Sequence, residues 1–258
     1  MFDTHCHLTH PKLSPEVVAV VARSRAAGLS ACMTIGTGCD DALRGLELAR
    51  RFPDFVVCAA GIDPFTAHDK GESFDDELAR LRELLSLGGF RALGEVGLDY
   101  HYDLDPRPVQ ARRFEVQLDL AEELGLPVVI HVREAHEDML ALLANHARCR
   151  GIIHSFTGGP ELADRYLALG WHLAFNGVLT FPAAENVRAA ARVVPPDRLL
   201  VETDAPYLAP VPLRGRTCEP GHVAHTLARL AEVRGETVAA VADRTATNAR
   251  ALLITGSR

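Results

Sequence analysis

Short apolar runs alternate with longer amphipathic stretches along the whole of this chain, and that alternation restricts the available folds more than any other property. Runs at Phe2 to His5, Ala31 to Ile35, Phe55 to Ala60, Ala92 to Glu95, Pro127 to His131, Gly151 to His154, His172 to Phe175 and Leu199 to Glu202 have the length and apolar content of buried strands. Helical periodicity fills Pro15 to Ala27, Asp41 to Arg51, Pro108 to Leu124, Ala135 to Ala147, Pro160 to Leu169 and Ala183 to Val193, then Pro220 to Val233 and Thr237 to Leu253. Gly28, Gly125 and Gly170 stand just past three of these stretches, where a left-handed C-cap costs glycine little. Eight strands with intervening helices in 258 residues predict an α/β fold, a (β/α)8 TIM barrel forming one domain over 1–258. The rival, an open doubly wound sheet, lacks a G-x-G-x-x-G after an early strand. The Pro/Gly-rich stretch Pro206 to Pro220 reads as a long loop after the eighth strand.

Composition narrows the function classes. The sequence has no apolar run of membrane-spanning length, and its first residues carry neither the cationic patch nor the apolar run of a signal peptide, so a cytoplasmic protein without a membrane partner is expected. The six cysteines show no C-x-x-C spacing and read as reduced thiols. A net charge of −7 excludes a protein that coats nucleic acid through dense Lys and Arg. It leaves room for an enzyme whose local cationic site reverses the field. The sequence leaves the oligomeric state open, a monomer being compatible with it.

Polar residues gather where the strands end. In "DTHCHLTH", His5 and His7 leave the first strand, and alternation points both rings to one side and Cys6 to the other, as a core thiol. Glu95 ends "ALGE", His131 ends "PVVIH", His154 ends "GIIH", and Asp204 follows the eighth strand in "LLVETDAPYL". One such histidine alone is as well explained by a structural hydrogen bond. Six donors at the carboxyl ends of barrel strands, where barrel active sites are built, point to metal chemistry. Four imidazoles and two carboxylates could hold two divalent cations about 3.5 to 4 Å apart, a spacing that clamps the entering and leaving oxygens of a displaced phosphoryl group. Asp99, Tyr100 and His101 in "GLDYH" could shape substrate access or bond to the ligands, with a capped turn as the bland alternative. Arg133, on the same side of its strand as His131, could pair with phosphate, or with Glu137 on a helix surface. His10, His68, His136, His146, His222 and His225 read as solvated and His172 as structural.

These segments resemble the TatD-type metal-dependent hydrolases, described as deoxyribonucleases, among the amidohydrolase-like barrels. The likeness runs through "THCHL", "GEVGLDYHYD", "LPVVIHVREA", "IIHSFTGG", "LLVETDAPYLAP", "RGRTCEP" and "TATNARALL", and so covers almost the whole chain. It implies that His5 and His7 bind a first metal, that Glu95 bridges two, and that His131 and His154 bind the second. Asp204 would bind the first metal and act as general base. Related barrels bridge with a carboxylated lysine, but Lys12 and Lys70, the only lysines, lie near no suitable strand end. The resemblance further implies two divalent ions (Mg, Mn or Zn) and DNA as substrate, cut from the 3′ side as a single or frayed strand.

The chain departs from the family pattern in two places. "GIDPFTAHD" puts Asp63 where the family often has histidine and Phe65 where a second histidine can occur. A carboxylate there would repel a phosphodiester or recruit metal. Cys218 replaces a common Asn in "RGRTCEP", beside Arg214 and Glu219. Arg133, Tyr100, Asp63 and Arg214 are therefore the substrate-binding candidates. Two other functions compete: hydrolysis of esters or amides, including D-aminoacyl-tRNA, and a metal-binding scaffold without chemistry.

Overall fold

The computed structural model describes residues 1–102 and 104–255. Its strands are β1 (Phe2–Cys6), β2 (Ala31–Gly36), β3 (Val56–Ala60), β4 (Phe90–Asp99), β5 (Val128–Arg133), β6 (Gly151–Ile153), β7 (His172–Phe175) and β8 (Leu199–Val201). They form one parallel sheet in sequence order. The α-helices are α1 (Val17–Ala26), α2 (Cys39–Arg51), α3 (Pro64–Lys70), α4 (Phe74–Ser86), α5 (Arg107–Leu124), α6 (His136–Asn145), α7 (Pro160–Ala168), α8 (Glu185–Val193), α9 (Val223–Arg234) and α10 (Val238–Arg250). This is the expected (β/α)8 TIM barrel. Among the described residues, no helix is long and apolar enough to cross a membrane.

The sheet curls round until its ends meet. Asp204 N donates to His5 O at 2.9 Å, His7 N to Ala205 O at 2.7 Å, and Thr4 Oγ1 to Val201 O at 3.1 Å. Buried Asp3 adds a carboxylate seam, accepting Thr203 N at 2.9 Å and Thr203 Oγ1 at 2.6 Å.

Two apolar layers follow from period-two alternation. One residue set, Phe2, Ala31, Met33, Ile35, Ala59, Ala92, Val129, Ile152, Ala174 and Leu200, fills the barrel interior, where Ala249, Leu252 and Leu253 from the C-terminal segment plug its base. The alternate set, including Cys32, Val56, Cys58, Val128, Leu173 and Val201, packs outward against the helices.

Three elements differ from expectation. The helices α3 and α4 lie in a stretch the pattern left unassigned, because α4 hides its buried face (Phe74, Leu81, Leu84, Leu85) within the acidic and basic run "FDDELARLRELLS". Buried Glu77 accepts Cys39 N at 2.9 Å and pairs with Lys70 and Arg80, which ties α4 to the start of α2. The strand β4 runs on to Asp99, so that residue belongs to the sheet and not to the following loop.

Candidate metal centre

On β5, β6 and β8 the interior phase set by Val129, Ile152 and Leu200 carries straight up to His131, His154 and Glu202. On β1 and β4 it does not. Counted in twos from Phe2 and Ala92, His5 and Glu95 should face outward. The register slips between Asp3 and Cys6 in β1 and between Leu93 and Val96 in β4, and each irregularity turns the following residues inward.

The donors then meet. His5 Nε2 and His7 Nε2 are 3.2 Å apart, and Asp204 Oδ1 lies 3.7 Å and 3.5 Å from them. Glu95 Oε2 is 3.4 Å from the His5 nitrogen and 3.9 Å from that of His7. Its other oxygen, Oε1, is 2.9 Å from His131 Nδ1 and 3.0 Å from His154 Nε2. Donors held tetrahedrally at metal–nitrogen distances lie about 3.3 Å from one another. Two sets therefore have the spacing of cation cradles: His5, His7 and one oxygen of Glu95, with Asp204 beside both rings, and His131, His154 and the other oxygen. Among the described residues the ion-pair partners of Glu95 and Asp204 are imidazoles and no Lys or Arg, a donor set that fits divalent ions.

A second layer of carboxylates orients the rings. Asp99, fully buried, places Oδ2 2.9 Å from His131 Nε2 while its Oδ1 accepts the backbone N–H groups of His101 and Tyr102. It thus caps the turn and also bonds His131, a candidate ligand. Glu202, equally buried, accepts Ser155 N at 2.6 Å and lies 3.3 Å from His154 Nδ1. Such carboxylate–histidine pairs are what fix the tautomer of a histidine that ligates a metal. Sequence reading missed Glu202, although its place two residues after interior Leu200 carries it to the inner side just past the end of β8.

Proton affinities reflect these partners. Burial alone would push Glu95 up, but the charges on His154 and His5 and bonds from His131 and His154 hold it well below the usual carboxylate range. Burial would likewise lower His131, yet Asp99 and Glu95 raise it to about 9, and Glu95 with Glu202 raise His154 against the same penalty. Asp204 is held down, against burial, by its bond to His7. Asp63 is pushed up to about 6, first by burial and then by the charge of Glu95.

Above the donors opens a cavity of about 950 Å³. Asp63 lines it, and its Oδ1 accepts Thr66 N at 2.9 Å as the N-cap of α3. Arg133 lines it too, with Nη1 3.4 Å from Tyr102 Oη. Glu137 pairs instead with Arg165, so the helix-surface pairing of Arg133 is not formed. Two substrate-binding candidates fall elsewhere. Tyr100 turns off the cavity wall to donate to Asp138 at 2.7 Å beneath Arg107, and Tyr102 takes the wall position. Arg214 is off the wall as well, its guanidinium stacked 3.8 Å from the centroid of Phe181, which holds it by cation–π attraction. Glu219 is fixed by Arg23 at 2.8 and 2.9 Å with Cys218 buried beside it, so the loss of the usual Asn leaves it anchored. His10, expected to be solvated, lines the cavity with its ring 5.5 Å from that of Tyr207. His136 is not free either, since its Nδ1 lies 2.9 Å from Tyr166 Oη.

Residues 2–254 match the family model described as TatD related DNase. The chain is 38% identical over 264 residues to YcfH of Escherichia coli K12, called an uncharacterized metal-dependent hydrolase, with 100% of this chain and 97% of the relative covered. It is 34% identical over 259 residues to the 3′-5′ ssDNA/RNA exonuclease TatD of Erwinia tasmaniensis, covering 98% of this chain and 99% of that one. Among solved structures, that of YJJV, a TatD homolog from Escherichia coli K12, superposes with a TM-score of 0.92 at 29% identity, over 98% of this chain and 97% of that one.

Proposed function

Because the chain belongs to the TatD related DNase family and is a metal-dependent hydrolase of ester bonds, we propose that it removes nucleotides from the 3′ ends of single-stranded or frayed DNA. One observation carries this reading: the two oxygens of Glu95 divide between two pairs of imidazoles, which is what bridging a pair of cations requires. His5, His7 and Asp204 would hold one divalent ion, His131 and His154 the other, and Glu95 both. When bound, such a pair supplies positive charge for the oxygens of phosphoryl displacement and acidifies water.

The remaining work falls to side chains. Asp204 is unprotonated at neutral pH and sits at the cavity floor with Oδ1 3.5 Å from His7 Nε2, so it takes the proton of the attacking water. Asp99 and Glu202 keep His131 and His154 from rotating out of line. Arg133 and Arg44 on the cavity wall offer guanidinium groups to the strand's phosphates. The 3′ polarity and the preference for a single strand are supported by the name of the Erwinia relative.

End-labelled single strands and duplexes incubated with Mg²⁺, Mn²⁺ or Zn²⁺, and after chelation, test the proposal. Stepwise loss of 3′ nucleotides that stops on chelation is expected. Turnover indifferent to chelator would overturn it, and cleavage of an aminoacyl ester with no phosphodiester cleavage would reassign the site to acyl transfer. Elemental analysis of protein purified without added metal identifies the native ion.

A further inference from the structure

Two aromatic rings, one from the first turn of α3 and one from the loop after β4, stand together, partly exposed, at one side of the cavity mouth. Phe65, two residues past the α3 cap Asp63, is 39% exposed, and Tyr102, three past Asp99, is 47% exposed. Their centroids are 5.3 Å apart with planes inclined at 63°, so they make a corner. Arg133 closes its third side, the guanidinium carbon 5.0 Å from the Tyr102 centroid. All three line the same cavity as the donors.

Single exposed apolar residues are ordinary on a protein surface. Two rings packed together with a cation, over a floor of carboxylates and imidazoles, are matched to something flat that carries negative charge. The corner is also rigidly referred to the donors. The Asp63 side chain caps the helix that carries Phe65. Asp99 accepts Tyr102 N with one oxygen and meets His131 Nε2 with the other. Arg133 lies two residues beyond His131 on β5. A group seated in the corner is thereby placed relative to His131 and Glu95.

We infer that Phe65, Tyr102 and Arg133 form a nucleobase-binding corner: the rings stack on a base of the strand near the bond to be cut, and Arg133 takes its phosphate. The inference rests on the strand-hydrolase reading above and adds the group that the enzyme recognises. Stacking accepts any base, so the corner makes hydrolysis depend on the presence of a base and not on its identity.

Two single strands of one sequence test it, one intact and one with abasic residues at its last two 3′ positions. The first readout is kcat/KM for the metal-loaded protein, expressed as the intact-to-abasic ratio within each variant, so that a general loss of activity cancels. The second is the quenching of a 3′-terminal 2-aminopurine on binding to chelator-treated protein. Wild type should favour the intact strand by about 5- to 150-fold, the range that one stacked base confers. Phe65→Leu and Tyr102→Leu should bring the ratio towards one and abolish the quenching, whereas Tyr102→Phe, which keeps the ring, should retain both. A wild-type ratio of one, or Leu variants that keep the wild-type ratio and quenching, overturns the corner while leaving strand hydrolysis intact. If neither strand is cut with any metal but a small carboxylic ester is, strand hydrolysis has failed and the corner fails with it.

Discussion

Asp63 carries two properties that pull against each other. Its carboxylate caps α3 through Thr66 N, yet burial and the charge of Glu95 raise its pKa from 3.8 to about 6. An acid whose folded pKa exceeds its unfolded value favours the native state only while it stays protonated, so stability falls as pH rises from the lower value through the higher. Asparagine caps a helix equally well and carries no charge. Asp63→Asn should therefore melt above wild type at pH 7.5, with the gap closing towards pH 4, and should lower KM for a single strand several-fold at pH 7.5. Thermal melts across that range decide the matter, and a variant less stable at pH 7.5 would show that the carboxylate has a favourable partner. A second residue-scale expectation concerns Glu202→Gln, which removes the charge behind His154. Metal affinity should drop about 10- to 100-fold, measured by competition with a chromophoric chelator. The candidate ligands themselves could be read from sequence because His5, Glu95, His131 and His154 end apolar runs and His7 and Asp204 follow two of them closely. Glu202 ends an apolar run as well, but what sets it apart as a support for His154 is the pair of bonds it makes to Ser155 N and toward His154 Nδ1, which only the fold brings together. Nor could Tyr100 be told from Tyr102, since which phenol faces the cavity depends on how the Asp99 turn is capped.

The eight strands were legible as elements because their apolar runs are short and bounded, whereas α4 was concealed by charges that sit on its solvent face and, through Glu77, at its junction with α2. What no periodicity could reveal was the pair of register slips that turn His5 and Glu95 inward, since a slip adds a residue without changing composition. Glycines mark the place on β4. A Cβ built on Gly97 would lie 1.8 Å from the carbonyl oxygen of His131, and its φ of +154° is one that side chains rarely adopt. Gly97 is thus what lets β4 and β5 approach closely enough for Glu95 to reach His131 at 2.9 Å. Gly97→Ala should cost on the order of 3 kcal/mol of stability, seen as a lower Tm. It should also lower bound metal per chain by elemental analysis, because the two donors part. Full metal content in a destabilised variant would mean that the clash is absorbed on the outer face of the sheet.

At the scale of the whole molecule the barrel brings its donors to one rim, and on the proposed reading its charge would determine how a strand gets there. The chain carries −7 overall, and the guanidinium groups on the cavity wall are those of Arg44 and Arg133. Arg44 is already paired with Asp41 at 2.9 Å, which leaves little positive potential to draw a polyanion from a distance. Binding that releases few counterions varies weakly with salt, at about 0.7 logarithmic units per phosphate contacted on a single strand. Two contacts therefore give a slope of roughly −1 to −2 in log affinity against log salt. Titrations of a fluorescent single strand into chelator-treated protein over a range of NaCl concentrations measure it. A much steeper slope would place additional basic contacts outside the cavity and make the strand path longer than the mouth described here. A shallow slope, with affinity restored by divalent ions, would mean that the cations held by Glu95 and its imidazoles supply the attraction the protein surface lacks, so that the same ions recruit the strand and enable its hydrolysis.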